Sequence, residues 1–319
     1  MSDHKEAKSF SRFGYIMVAA GAAIGLGNIW KFPYLAYGDG GGAFVLIYIV
    51  ICILLGHPIV QAEQAVGRRG RASAAASYGV IHPKWRFVGV INIVCTFLID
   101  IYYLVVSGWV LKYFVTYVVS GDFGKDKQAY FDNYISSTTQ PLIYSLIIIA
   151  IIVFFLFFGI TNIVEKASKV IMPMLAVLLL VCGIYALIVV PGAVDGLKYY
   201  FVPDFSKFGM QQFADACMQV CFSVGIGWGI FTTLGASMDK DANLKADAWW
   251  VDICDTFIAL LAGFVIIPTV VGTGSEMSSG PSLVFVAMTQ IFETLPGGRI
   301  IGIFFFASLI FAVISTFFT

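Results

Sequence analysis

Gly21-Ala22-Ala23-Ile24-Gly25-Leu26-Gly27-Asn28 is the stretch whose reading decides the fold. It lies inside an apolar segment from about residue 13 to 37, long enough to cross a bilayer, which takes roughly 20 residues. A helix written only to span would not carry three glycines and a carboxamide there. Glycine costs up to ~1 kcal/mol per residue in a helix interior, so the stretch predicts two half-helices joined by a few extended residues. Broken backbone at membrane depth is tolerated only where it lines a cavity or is buried in protein. Ligand binding is therefore the first reading. Close packing of another helix against small residues is the second.

The composition sets the class. Of 319 residues, 59% are hydrophobic and 12% charged, with a formal net charge of zero, and the mean hydropathy is +0.89. These values belong to an integral membrane protein. No basic stripe or charge run points to nucleic acid. The six cysteines stand in apolar surroundings with no CxxC spacing, and read as small packing residues.

Eight apolar segments follow, at about 13–37, 42–66, 87–119, 141–160, 166–191, 211–237, 247–272 and 298–319. They are too continuous for the alternating strands of a barrel, which predicts an all-α membrane protein. Lys5, Lys8 and Arg12 precede the first segment, Arg68, Arg69, Arg71, Lys84 and Arg86 join the second to the third, and Lys166 and Lys169 open the fifth. With alternating segments these clusters share one side, which places the N-terminus in the cytoplasm of a multi-pass plasma-membrane protein.

Within the sixth segment, Gln219 to Gly229 repeats the glycine interruption with Gly225, Gly227 and Gly229. Glycine-broken segments in corresponding positions of two halves point to an inverted-repeat transporter with its site at the midplane. Ionisable groups at depth are Glu63, Asp100, Asp252 and Asp255, each costly unless paired or solvated. Glu63 is expected to pair with Arg68 or a helix end, and Asp252 to be interfacial. Asp255 lies deeper, and Asp100 has no expected partner. Ser315 and Thr316 read from spacing alone as hydroxyls bonding back to their own helix. His4, His57 and His82 are scattered, and no HExxH, GxSxG or phosphate loop accompanies them, so an enzyme is not expected.

Gly25-Leu26-Gly27-Asn28-Ile29-Trp30-Lys31-Phe32-Pro33-Tyr34, the glycines 40–42, Glu63 ahead of Gly67-Arg68, and Pro203-Asp204-Phe205-Ser206 closely resemble the bacterial amino-acid transporter branch of the neurotransmitter:sodium symporter family. Tyr102-Tyr103, the run from Glu165-Lys166 to Pro173, and Gly280 to Phe285 extend the resemblance over essentially the whole chain.

The resemblance implies a LeuT-type inverted-repeat helical bundle. It also implies sodium-coupled symport of a small amino acid, of apolar or aromatic side chain, by alternating access. The substrate would meet Ala22, Ala23, Gly25, Ile99, Tyr103, Phe222, Ser223, Gly225, Trp228 and Thr316, with Phe222 and Tyr103 as the outer lid. Gly25 stands where amine-carrying relatives place an aspartate, which leaves room for a substrate carboxylate. One sodium site would use Ala23, Asn28, Ser223 and Asp255; a second would use Gly21, Ile24, Ala312, Ser315 and Thr316. Asp255 stands where many relatives have asparagine, near the place of chloride at Tyr48 and Gln219, so chloride is not expected to be required. Lys31 replaces the usual arginine of the outer gate.

The implied organisation is a cytoplasmic segment 1–12, a first five-helix repeat 13–191, an extracellular loop 192–210 and a second repeat over 211–319. That second repeat is expected to be incomplete, since relatives have at least eleven spans. The alternative to transport is a membrane receptor or truncated remnant that binds an amino acid without moving it. An intramembrane enzyme built on Asp100 or on Asp252 and Asp255 has no accompanying nucleophile or metal cluster.

Overall fold

The structure, a computed structural model, describes residues 10–157, 164–239 and 241–317. Lys5, Lys8 and the end of the fourth expected span lie outside them. The described residues form helices and their connections, with one isolated bridge between Gly41 and Pro203.

The first expected span is two helices, α1 (Arg12–Ala23) and α2 (Gly27–Gly38), bent by 60° at the break between them. Then come α3 (Gly42–Gly70), α4 (Ala74–Ile81), α5 (Arg86–Val119), α6 (Lys127–Ser136), α7 (Thr139–Phe157) and α8 (Glu165–Val189). After α9 (Ala193–Phe201), the sixth expected span is again two helices, α10 (Met210–Val224) and α11 (Ile230–Ala236). The chain continues with α12 (Leu244–Thr273), α13 (Leu283–Thr294) and α14 (Gly298–Thr316).

Among the described residues, α3, α5 (extended to Pro83), α8, α12 and α14 are each long and apolar enough to cross a membrane, and α1–α2 and α6–α7 are bent pairs that qualify together. The α6–α7 bend of 76° was not anticipated. Nor was α13, an apolar helix in what reads as a loop before the last span.

Burial separates a central from a peripheral layer. Of the most apolar window of α12, 67% lies inside the protein, against 17% for α5. α12 packs against α1, α3, α8 and α9, while α14 packs against α5 and α8. The two broken pairs are held between these helices. Glycine permits the closest approaches: a Cβ on Gly41, at φ +57, would fall 2.2 Å from the Tyr199 carbonyl oxygen, which accounts for the glycine run that starts α3. All six cysteines are free.

On the face that holds Arg12, polar contacts tie α1 to its neighbours. Arg12 Nε donates to Asp247 Oδ1 at 2.8 Å, and Ser11 Oγ donates to Glu165 Oε1 at 2.5 Å. Lys169 Nζ donates to the same carboxylate oxygen at 2.6 Å, and Arg68 Nη1 to the Ala242 carbonyl at 2.8 Å.

Candidate functional site

The first break is short. α1 ends at Ala23, Ile24 is extended (φ −72, ψ 103), and helical backbone resumes at Leu26. Its amides find side-chain acceptors: Gly25 N–H donates to Asn28 Oδ1 at 3.1 Å, and Leu26 N–H to the Tyr103 hydroxyl at 3.3 Å. A Cβ on Gly25 would sit 3.1 Å from that hydroxyl and 3.6 Å from Thr316 Oγ1, so the residue at this position has no room for a side chain unless Tyr103 yields.

The second break differs from the expected extended linker. Gly225, Gly227 and Gly229 all have left-handed backbone, with φ of 73, 81 and 78, so the chain turns tightly, in a conformation that L side chains rarely adopt. Glu63 Oε1 accepts from the Gly227 amide at 2.8 Å. The anticipated Arg68 partner is engaged elsewhere, with Ala242. From the other side, α5 supports the same turn, Thr96 Oγ1 donating to the Trp228 carbonyl at 2.5 Å.

Two oxygen networks meet at the first break. In one, Asn28 Nδ2 donates to Asp255 Oδ1 at 2.7 Å and to Ser223 Oγ at 2.9 Å, and Ser223 Oγ lies 2.9 Å from Asp255 Oδ2. All three side chains are buried. Asp255 therefore presents a buried carboxylate to neutral partners, with no cationic side chain within ion-pair distance among the described residues. In the other, Ser315 Oγ lies 3.1 Å from the Gly21 carbonyl and 2.8 Å from that of Ala312, and Thr316 Oγ1 lies 3.1 Å from Ile24 O and 3.0 Å from Ala312 O. Each hydroxyl has one proton, so five converging oxygens share two. A small hard cation suits such an oxygen-rich set. The hydroxyls do bond back to their own helix, and to the break as well.

A cavity of about 320 Å³ opens beside these networks, lined by both breaks, α5 and the end of α14. Of the ten residues expected around a substrate, Ala22, Ala23, Gly25, Ile99, Tyr103, Phe222, Ser223, Trp228 and Thr316 line it. Gly225 does not: it lies behind Trp228, whose Cε3 would be 3.3 Å from its Cβ. Phe222 packs edge-on against Trp228 at 5.5 Å, and Lys31 Nζ stands 4.3 Å over the Phe222 ring.

Sequence reasoning missed Thr96, Phe97 and Thr233 in the lining. The i, i+4, i+7 series Thr96, Asp100 and Tyr103 would have signalled one face of α5. Asp252 is not interfacial but buried, paired with His57 Nδ1 at 2.8 Å, and the imidazole stacks on Trp249 at 4.0 Å. His57 and Asp252 come from different helices, α3 and α12. Beyond α2, burial first and then the like charge of Asp215 push Asp39 up to about 6, opposed by a hydrogen bond from Gln212.

The family model described as sodium:neurotransmitter symporter family matches residues 7–121 and 131–319. The chain belongs to that family. Two relatives of this symporter are an uncharacterized sodium-dependent transporter of Haemophilus influenzae, 33% identical over 96% of this chain and 70% of its own length, and one of Bacillus subtilis, 33% identical over 100% and 72%. The crystal structure of MhsT in complex with L-phenylalanine matches with a TM-score of 0.88 at 34% identity, over 98% of this chain and 72% of that one. The fold is thus the LeuT-type helical bundle, and the symporter is a multi-pass membrane protein of a sodium-coupled transport family, not an enzyme.

Proposed function

We propose that this symporter carries an amino acid with an apolar or aromatic side chain inward with sodium, by alternating access. The observation that carries the reading is the convergence of two oxygen networks and one cavity on the Ile24–Gly25 break. One sodium ion is held by the Ala23 carbonyl, Asn28, Ser223 and Asp255. A second is held by the carbonyls of Gly21, Ile24 and Ala312 with the hydroxyls of Ser315 and Thr316. The substrate lies in the cavity with its carboxylate beside the first ion, so each raises the affinity of the other by the same factor. Its side chain meets Ile99, Phe222 and Trp228, and the phenylalanine-bound MhsT supports a ring of this size.

The basic loop residues put the Arg12 face in the cytoplasm. Alternating access then means releasing the Arg12–Asp247 and Ser11–Glu165 contacts on that side, and the Phe222 and Tyr103 lid on the other. The charge of Asp255 takes the place of chloride, and uptake persists when external chloride is replaced by gluconate. Tyr48 is fully buried, and loss of uptake in gluconate would assign an anion to the place beside it instead.

The test is binding and uptake by the purified protein. Labelled amino acid should bind in sodium but not potassium, and accumulate in proteoliposomes along a sodium gradient. Binding without accumulation favours the receptor reading, and accumulation with sodium absent from both sides overturns the coupling.

A further inference from the structure

Asp100 stands midway along α5 and lines the cavity, yet makes no hydrogen bond or ion pair to another described residue. An ionisable group at this depth is expensive unless it serves a ligand or a pathway. Its position is set by its neighbours on the same face. One turn before it, Thr96 is bound to the Trp228 carbonyl at the second break; one turn after it, Tyr103 is bound to the Leu26 amide at the first. Asp100, an exposed residue, therefore flanks the helix face that meets both breaks, and its side chain belongs to the cavity lining. The hydroxyls on either side are already engaged, and the carboxylate is the acceptor left over.

We propose that Asp100 reads the far end of the substrate's side chain, accepting a hydrogen bond from an N–H or O–H carried on an aromatic ring. The inference rests on the amino-acid reading of this cavity and narrows it to indole- and phenol-bearing substrates over phenyl or aliphatic ones. Phe97, Tyr102 and Trp228 are among the aromatic residues that line the same cavity, against which a ring packs edge-on or offset. Charge balance favours a neutral donor over a cation. Two sodium ions and Lys31, over the Phe222 ring, offset Asp255, Asp100 and Glu63, a zwitterion adds nothing, and a cationic side chain would leave a surplus charge in a site of low dielectric.

The experiment is competition against a labelled amino acid bound to the purified protein in sodium, using pairs that differ only at the donor: tyrosine against phenylalanine, and tryptophan against 1-methyltryptophan. The donor-bearing member should compete at concentrations about ten- to a hundredfold lower, the range for a hydrogen bond to a charged acceptor. Asp100→Ala should bring both ratios towards the steric baseline, and Asp100→Asn, which keeps an acceptor oxygen, should retain part of them. Ratios unchanged in Asp100→Ala, or lysine or arginine as the strongest competitor, overturn the inference alone. Absence of sodium-dependent binding of any amino acid overturns the reading of the site, and this inference with it.

Discussion

Asp255→Asn isolates the charge that the first sodium site would use. The carboxylate is buried and accepts from Asn28 at 2.7 Å, with Ser223 at 2.9 Å, and an amide of the same shape can keep an oxygen in the same place. What is lost is the unit charge. At ~4 Å and an effective dielectric of about 20, the attraction to a monovalent cation is about 4 kcal/mol. Discounted for the desolvation that the wild-type pair bears, about 2 to 3 kcal/mol remains, which is roughly a hundredfold in sodium affinity. Without sodium the sign reverses, because the variant no longer buries an uncompensated anion, and its melting temperature should rise above that of the wild type. The assay is a thermal-shift titration with sodium chloride at constant ionic strength, made up with choline. The wild type should gain about 2.7 kcal/mol at a sodium concentration a hundred times its dissociation constant, and the variant's curve should move to roughly hundredfold higher sodium. A midpoint that stays within about twofold of the wild type would refute a cation at Asp255.

The remaining predictions concern packing, the second break and pH. In Gly67→Ala the new methyl would lie 1.9 Å from the Thr232 carbonyl oxygen and 2.9 Å from the Ala236 amide nitrogen, both backbone atoms of α11. The variant should lose about 3 kcal/mol, read as a lower melting temperature or a lost monodisperse peak on size-exclusion chromatography. Glu63→Ala leaves the Gly227 amide without its acceptor and should weaken substrate binding about tenfold, while Glu63→Gln should recover most of it; equal loss in both would show that charge, not the hydrogen bond, matters. Asp39 is held up near 6 in the folded protein, so the folded state binds more protons than the unfolded chain between about pH 4 and 6. Stability should fall as pH rises through this window, by about 1 kcal/mol after allowance for solvent screening. Asp39→Asn should flatten that limb of a melting-temperature profile measured from pH 4 to 8.

Both helix breaks were legible because glycine and asparagine inside an apolar run contradict helix propensity, and the contradiction needs no tertiary information. Their shapes were not legible. The first break uses Ile24, an ordinary residue in an extended conformation, whereas the second uses three left-handed glycines, and the same residue type in sequence does not distinguish them. Asp255 was identified as a group at depth, but Asp252 was misplaced because its partner, His57, sits 195 residues away and no local pattern joins them. Gly225 failed as a lining residue because a glycine has no side chain to show which way it faces. Helix α13 escaped notice because it is too short to read as a span and lies in a stretch that opens with glycine and proline.

The bonds from Ser315 to Gly21 and from Thr316 to Ile24 span 294 and 292 residues. At synthesis rates of about 5 to 20 residues per second, the ribosome delivers these hydroxyls roughly 15 to 60 s after the carbonyls they serve. During biogenesis the opening helix must therefore wait in lipid or in the insertion machinery with its interrupted main chain satisfied by provisional donors, and this pairing forms only once Ser315 and Thr316 have been made.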